Sequence, residues 1–595
     1  METVQSLLAG KLRPALPSGV SLEPQVTSTS DPKFGDYQTN VAMILAKQAK
    51  ANARQLAQEI IGRLDVGDMC EPPEIAGAGF INFRLKPAWI AARLSEFSND
   101  ARLGVPAPAK VKKIVIDFSG PNVAKPMHVG HIRSTGIGDT LSRIASFVGH
   151  EVVRDNHIGD WGTQFGMLLV GWKTVLDKEA LTADPLGEME RIYKLVSARS
   201  GEDEATHKSV QQELVKLQNG DGENLALWHE MIRLSQVQFD DIYTRLDVQF
   251  DVTLGESFYN PQLKDVVQRL ADLGIARQSE GAWCVFSDHT LPEKEDPFLV
   301  QRDGGWIDVP ALVQKTDGAS NYATTDLATL EYRLKEWSPD EIIYVTDGRQ
   351  QLHLRQVFAI FRRWHPDVKV RLEHIWFGTI LGEDNKPFKT RSGESVRLAD
   401  VLDEAVARAY KIVTEKSPEL PEEERQEIAR IIGIGAIKYA DLVPSRQNDY
   451  VFSWDKMLSL QGNTAPYLQN AYVRIQSIFR KAAATATAPV GEGATFPAPL
   501  ATEAYTLTEP AEFALAKKLF LFGEIVPLVL DDYRPNILAN YLYELASAFH
   551  SFFEACQVLK SEEPIRSTRL ALCALTAKVL KQGLALLGIQ VPSRM

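Results

Sequence analysis

The clearest hydrophobic pattern in the chain begins at VKKIVIDFS, where Ile114, Val115 and Ile116 form a short continuous apolar run. Such a run suits a strand buried on both faces of a parallel sheet. It stops at Ser119, Gly120 and Pro121. From Pro126 to Phe147 the apolar positions change period: Val129, Ile132, Ile137, Leu141, Ile144 and Ala145 recur at near-helical spacing, and Gly149 supplies a stop. A second apolar strand follows at Glu151–Val153. Strand, helix and strand in this order make a βαβ unit, so the fold class expected is α/β, a Rossmann-type doubly wound parallel sheet. Ligands of such sheets sit beyond the carboxyl ends of the strands, which makes Ser119–Pro126 the loop to inspect.

Further strand-like runs, EIIYVTD (Glu341–Asp347) and HIWFGTI (His374–Ile380), come after a long insertion and predict the second half of the same sheet. Residues 1–108 mix helical stretches with a strand-like GFINFRL (Gly79–Leu85) and end at the Pro/Ala-rich GVPAPAK, so an α+β N-terminal domain is expected there. From Ala399 to Met595 long helical periods dominate, as in EIARIIGIGAIKYADL and LFLFGEIVPLVLDDY, and predict an all-α C-terminal domain. The Ala/Thr/Pro/Gly-rich stretch Ala482–Thr502 reads as a surface loop within it. The sheet domain is then 109–398.

Composition changes this picture little. With 595 residues the chain is too long for one core, and 45% hydrophobic with 24% charged residues is the balance of a soluble globular protein. No apolar run is long enough to span a membrane and the first residues lack a secretory pattern, so a cytoplasmic location is expected. Cys70, Cys284, Cys556 and Cys573 lie far apart with no ligand spacing, so they predict neither a disulfide framework nor a zinc site. The net charge of -12 argues against indiscriminate polyanion binding. Local charge differs: Pro564–Met595 carries Arg566, Arg569, Lys578, Lys581 and Arg594 with no acid, and Gly348–Arg371 is also basic. Either segment alone also reads as a solvated helix face.

His128 and His131 fall at i and i+3 in the first turn of the helix predicted from Pro126, near the positive end of its dipole, with Lys125 just before and Gly130 between them. Two imidazoles and free N–H groups at a helix N-terminus suit an anionic phosphate. An isolated HxxH is more often a pair of ordinary helix histidines, and the surrounding residues decide the matter.

Those residues, PNVAKPMHVGHIRS, resemble the class I aminoacyl-tRNA synthetases, whose signature is H-x-G-H at the first strand-to-helix turn; the longer P-N-x-A-K-P-x-H-x-G-H is similar to the arginyl enzymes. The resemblance continues through VVRDNHIGDWGTQFGMLL (Val152–Leu169), FGDYQTNVAMILAK (Phe34–Lys47) and the ending LGIQVPSRM. It implies an ATP-dependent ligase, with Mg²⁺, that activates L-arginine and transfers it to the 3′-terminal adenosine of tRNA(Arg), with bound tRNA required for the first step. It also implies a monomer. The K-M-S-K-S loop of the class matches KPFKTRSGES (Lys386–Ser395), where Arg391 stands in place of the second lysine and Lys125 is the implied compensation. Lys386, Lys389 and Arg391 are thus expected phosphate contacts, beside His128, Gly130 and His131.

A guanidinium substrate calls for carboxylates, which pair with its N–H fork. The resemblance carries over Asp117 and Asn122 as holders of the backbone end of arginine, and Glu256, Tyr322, Asp326 and Gln350 as its side-chain pocket. Apart from the resemblance, each reads equally as a surface or strand-end residue. Tyr439–Ile475 is similar to the anticodon-binding helical domain, in which Arg446, Tyr467, Gln469, Asn470 and Arg474 offer stacking and hydrogen-bonding groups to splayed bases. The N-terminal domain resembles the module that touches the outer corner of tRNA. Rival readings are a class I ligase for cysteine, glutamine or glutamate, a non-catalytic RNA-binding relative, and a nucleotidyltransferase without tRNA. The acid-lined pocket, the intact histidine pair and the long helical C-terminal part speak against them in turn.

Overall fold

A computed structural model describes residues 1–29, 31–389, 395–485 and 505–595. The chain divides into two compact units, one of residues 110–412 and 433–457, the other of 1–109, 413–432 and 458–595.

The first unit is built on a five-stranded parallel sheet: β1 (Lys113–Asp117), β2 (Glu151–Ile158), β3 (Val252–Gly255), β4 (Glu341–Tyr344) and β5 (Arg371–His374). Its order is β5-β4-β1-β2-β3, all parallel. The sequence therefore enters at the middle strand, winds to one side, and returns to wind to the other. This is the doubly wound α/β class expected from the apolar run at Ile114–Ile116, all of which is buried. Register puts the last residue of β1, Asp117, beside Asp155 of β2 and Tyr344 of β4. Between β1 and β4 the winding reverses, and the crevice beyond their carboxyl ends is where such a fold accepts a ligand. Helices α1 (His131–Val148), α2 (Tyr322–Trp337) and α3 (Gln351–Trp364) follow. Leu327, Leu330, Val357, Ile360 and Phe361 of α2 and α3 share a core with Val115 and Ile342.

Two predicted elements shift. The helix starts at His131, with Gly130 as its cap, instead of at Pro126. Residues 127–129 are held extended against 396–398 through Val129 N–H to Val396 O, Leu398 N–H to Met127 O and the His128–Arg397 bridge. The run His374–Ile380 is not one strand. β5 ends at His374, and Gly378 N–H bonds Arg446 O while Thr379 N–H bonds Asp449 Oδ1, drawing the chain away from the sheet. Ile380–Leu381 then pairs with Tyr450–Val451, a short strand in a region read as helical. A Cβ at Gly378 would lie 2.7 Å from the Asn448 backbone, so this close approach needs glycine.

The second unit carries a four-stranded antiparallel sheet from Val26–Ser28, Tyr37–Thr39, Phe80–Phe83 and Glu74–Ala76. Its helices include Ala465–Thr485, Pro510–Phe520, Phe522–Asp532, Pro535–Ala555 and Ile565–Leu586. The predicted loop Ala482–Thr502 begins inside the first of these, and residues 486–502 lie outside the described residues. The basic C-terminal segment is not a free cationic face throughout: Arg569 is buried and bonded at 2.6 Å to the buried Glu512. In Gly348–Arg371 likewise, Arg349, Arg363 and Arg371 pair with Asp347, Asp288 and Glu373. All four cysteines are buried thiols. Among the described residues no helix is long and apolar enough to cross a membrane.

Candidate active site

A cavity of about 780 Å³ opens at the predicted crevice. Asp117 at the end of β1, Ser119 and Asn122 after it, Thr346, Asp347 and Gln350 after β4, the pair His128 and His131, and Asp326 and His353 all line it. The loop after β1 turns through left-handed conformations at Ser119, Gly120 and Ala124 (φ 74°, 53° and 61°). Asn122 then bridges to Gly159 after β2, where a Cβ would stand 2.3 Å from Asn122 Oδ1. Only glycine at 159 lets Asn122 lie where it does.

Although the helix starts later than predicted, the two imidazoles meet, with ring centroids 4.0 Å apart. His131 N–H bonds His128 O at 2.9 Å, closing the turn that brings residue 131 back over 128. His128 N–H points at His131 Nδ1 (3.0 Å), and Gly130 N–H points at His128 Nδ1 (3.1 Å). A backbone N–H cannot accept, so His128 Nδ1 accepts and its ring hydrogen sits on Nε2, whereas His131 Nδ1 lies both 3.0 Å from His128 N and 3.2 Å from His128 O, which suits either neutral tautomer. Burial, aided by its neighbour His128, pushes His131 down to about 3. Burial and the Arg349 charge lower His128 as well. At neutral pH the site therefore presents two uncharged imidazoles at a helix N-terminus, with the Nε2–H of His128 free to meet a phosphate oxygen.

Acidic side chains supply the opposite chemistry: Asp326 lines the cavity, and Glu256, expected beside it, is not among the lining residues. Asp326 accepts a 2.5 Å hydrogen bond on Oδ2 from His353 Nε2. Burial opposes charge on His353, but the hydrogen bond and attraction from Asp326 outweigh it and raise its pKa. Glu256 is pushed up to about 8 by burial and by the charges of Asp326 and Asp160. These carboxylates repel one another and would be relieved by a cation. Asp117 is already engaged: it shares the buried Arg333 guanidinium with Asp155, at 2.6 and 2.8 Å.

Several expected residues stand elsewhere. Tyr322 is 70% exposed and does not line the cavity with Asp326. Lys125 rests on the Tyr193 ring, 4.9 Å from its centroid, instead of among the lining groups. Lys389 lines the cavity, Lys386 is exposed at its margin, and Arg391 lies outside the described residues. In the second unit Tyr467, Asn470 and Arg474 share one face of Ala465–Thr485, at i, i+3 and i+7. Tyr467 meets His550 Nδ1 at 2.8 Å, and Arg474 lies over Phe553. Gln469 corrects the expectation of a base contact: it is fully buried and bonds Ile431 O and Gln590 O. Arg446 donates to Trp376 O.

Sequence reasoning passed over His353, His157 and Arg133, all of which line the cavity. His157 sits in the quoted NHIGDWG run and His353 three residues after Gln350, so proximity to motifs was the available signal. Arg133 hides because an arginine within a helix ordinarily reads as exposed. Here it is buried against Asp441 (2.9 Å) and donates to Asn448 O.

Comparison with known proteins decides the family. The model of the class I (R) tRNA synthetase catalytic domain matches residues 94–454, that of the DALR anticodon binding domain 468–595, and that of the arginyl tRNA synthetase N-terminal domain 2–85. The chain belongs to the arginyl-tRNA synthetase family. Arginine–tRNA ligases of Nostoc sp. and Cellvibrio japonicus are 45% and 47% identical to it, over 100% and 94% of both chains. The arginyl-tRNA synthetase structures from Plasmodium falciparum and Thermus thermophilus match over the whole of both chains, with TM-scores of 0.81 and 0.80 at 28% and 25% identity. His128 and His131 both lie within the matched catalytic domain.

Proposed function

We propose that the cavity activates L-arginine with ATP to arginyl-adenylate and pyrophosphate, then transfers arginine to the 3′-terminal adenosine of tRNA(Arg), with bound tRNA needed for the first step. As an arginyl-tRNA synthetase the chain is an ATP-using ligase that joins arginine to tRNA(Arg). The observation carrying the residue-level reading is that one cavity is lined both by two neutral imidazoles, His128 and His131, and by Asp326, whose charge also acts on Glu256.

The arginine carboxylate attacks the α-phosphorus in line, the bond to the bridging oxygen breaks, and the electron pair leaves on pyrophosphate. His128 and His131 donate their Nε2 hydrogens to phosphate oxygens whose charge grows, and no protein nucleophile is required. Gly130 serves the nucleotide through His128: a Cβ there would lie 2.9 Å from the His128 ring and displace it. Lys125, Lys386, Lys389 and Arg391 serve the phosphates. Mg²⁺ would enter as the counter-ion of the ATP phosphates. Asp326, Glu256, Tyr322 and Gln350 hold the guanidinium end of arginine; Asp117 and Asn122 hold its backbone end. In the second step the 2′-hydroxyl of the terminal adenosine attacks the activated carbonyl and AMP leaves. Tyr467, Asn470 and Arg474, with Arg446, meet anticodon bases.

We infer further that residues 1–108 contact the outer corner of tRNA, 109–398 catalyse, 399–595 read the anticodon, and the protein acts as a cytoplasmic monomer. Pyrophosphate exchange with each of the twenty amino acids, with and without tRNA, tests the reading. Exchange with arginine alone, dependent on tRNA and lost in His128→Ala, is the expected result. Exchange with another amino acid would overturn the pocket.

A further inference from the structure

We propose that His353 is a positioning residue for arginine selection: by bonding one oxygen of Asp326 it fixes the other toward the guanidinium. The inference rests on the reading of Asp326 as an arginine contact. Both side chains line the cavity and both keep some exposure, 22% for Asp326 and 30% for His353. Neither is locked by burial alone. Asp326 stands in the second turn of α2 and His353 near the start of α3, so the contact ties two helices that follow different strands. His353 Nε2 meets Asp326 Oδ2 at 2.5 Å, and among the described residues no hydrogen bond reaches Oδ1.

A guanidinium fork reads the plane of a carboxylate, not only its charge. A free aspartate on a helix samples several rotamers, and each binding event would then have to select one. The Nε2–H donor removes that choice while Oδ1 remains open. Other cations near the cavity do not take this place: Arg349 is held by both oxygens of Asp347, and Arg333 lies between Asp117 and Asp155. The charge of Asp326 is also felt by the carboxyl of Glu256. His353 thus acts through Asp326 and touches no reacting atom.

The test is steady-state aminoacylation with saturating ATP and tRNA, comparing His353→Gln, His353→Asn and His353→Met. Gln places an N–H where Nε2 stands, Asn is polar but too short to reach, and Met fills the space without a donor. Expected are a KM for arginine raised about tenfold to a hundredfold in the Asn and Met variants, by loss of a charge-assisted hydrogen bond, and within about threefold of wild type in Gln. Across all three variants kcat and the KM for ATP stay within about threefold of wild type. Equal KM for arginine in Gln, Asn and Met would overturn the proposal, as would a matching rise in the KM for ATP, which marks general damage. Asp326→Asn in the same assay separates the two readings. A raised KM there with none in the His353 variants sinks only the positioning role; no change in Asp326→Asn sinks the pocket and this inference together.

Discussion

His131 Nδ1 stands 3.0 Å from the backbone N and 3.2 Å from the carbonyl O of His128, so that one residue engages this nitrogen in either neutral tautomer. Because burial pushes His131 down to about 3, that ring gains no proton as pH falls through the ordinary histidine range, while burial and the Arg349 charge lower His128. The rate of arginine-dependent pyrophosphate exchange should show no step near pH 6.5 from His131. A pH–rate profile from 5 to 8 checks this, and an acid limb centred at 6–7 that disappears in His131→Gln would contradict it. His131→Ala should lower the exchange rate by about a hundredfold to a thousandfold, the usual effect of one lost donor to developing charge.

Glu256 gives the opposite dependence. With its pKa pushed up to about 8, it is mostly protonated at pH 7 before arginine binds. A guanidinium favours the ionised form, so arginine binding should release a proton at pH 7. Affinity should rise with pH until about 8 and then level off. Titration calorimetry in buffers of different ionisation enthalpy measures the release, which should vanish in Glu256→Gln.

These two sites differ in how much of them the sequence disclosed. The apolar run at Ile114–Ile116, the glycine-bearing loop and the histidine spacing are local signals, and they located β1, the switch point and the phosphate wall. The error at Pro126 arose because residues 127–129 pair with 396–398, a partner more than 260 positions away that no local period reveals. The His353–Asp326 bond spans 27 residues and two helices, and the Arg333 link to Asp117 spans 216. Gln469 failed for a related reason: only packing against Ile431 and Gln590 turns a polar helix residue into a buried one.

Gly159→Ala should damage catalysis without unfolding the protein. The added Cβ would stand 2.3 Å from Asn122 Oδ1, and Asn122 is an exposed side chain able to move aside. Its displacement costs a contact to the backbone end of arginine, so kcat/KM for arginine should fall at least about tenfold. A circular dichroism spectrum and melting curve close to wild type would accompany the loss. Unchanged kcat/KM would remove Asn122 from the site.

The Glu512–Arg569 pair predicts a stability effect separable from catalysis. Glu512 is fully buried, and Arg569 bonds it at 2.6 Å while also donating to Gln557 O and Ser561 Oγ. Glu512 further accepts the N–H groups of Thr508 and Glu509 at the start of helix Pro510–Phe520. Arg569→Met leaves that carboxylate buried without its cation, a change that costs about 3–5 kcal/mol in comparable pairs. The double variant Glu512→Gln with Arg569→Met removes the stranded charge and keeps the cap acceptor, so it should recover a large part of the loss. Denaturant unfolding of the three proteins measures this. Equal stability of Arg569→Met and wild type would show that the basic C-terminal segment does not depend on this ion pair.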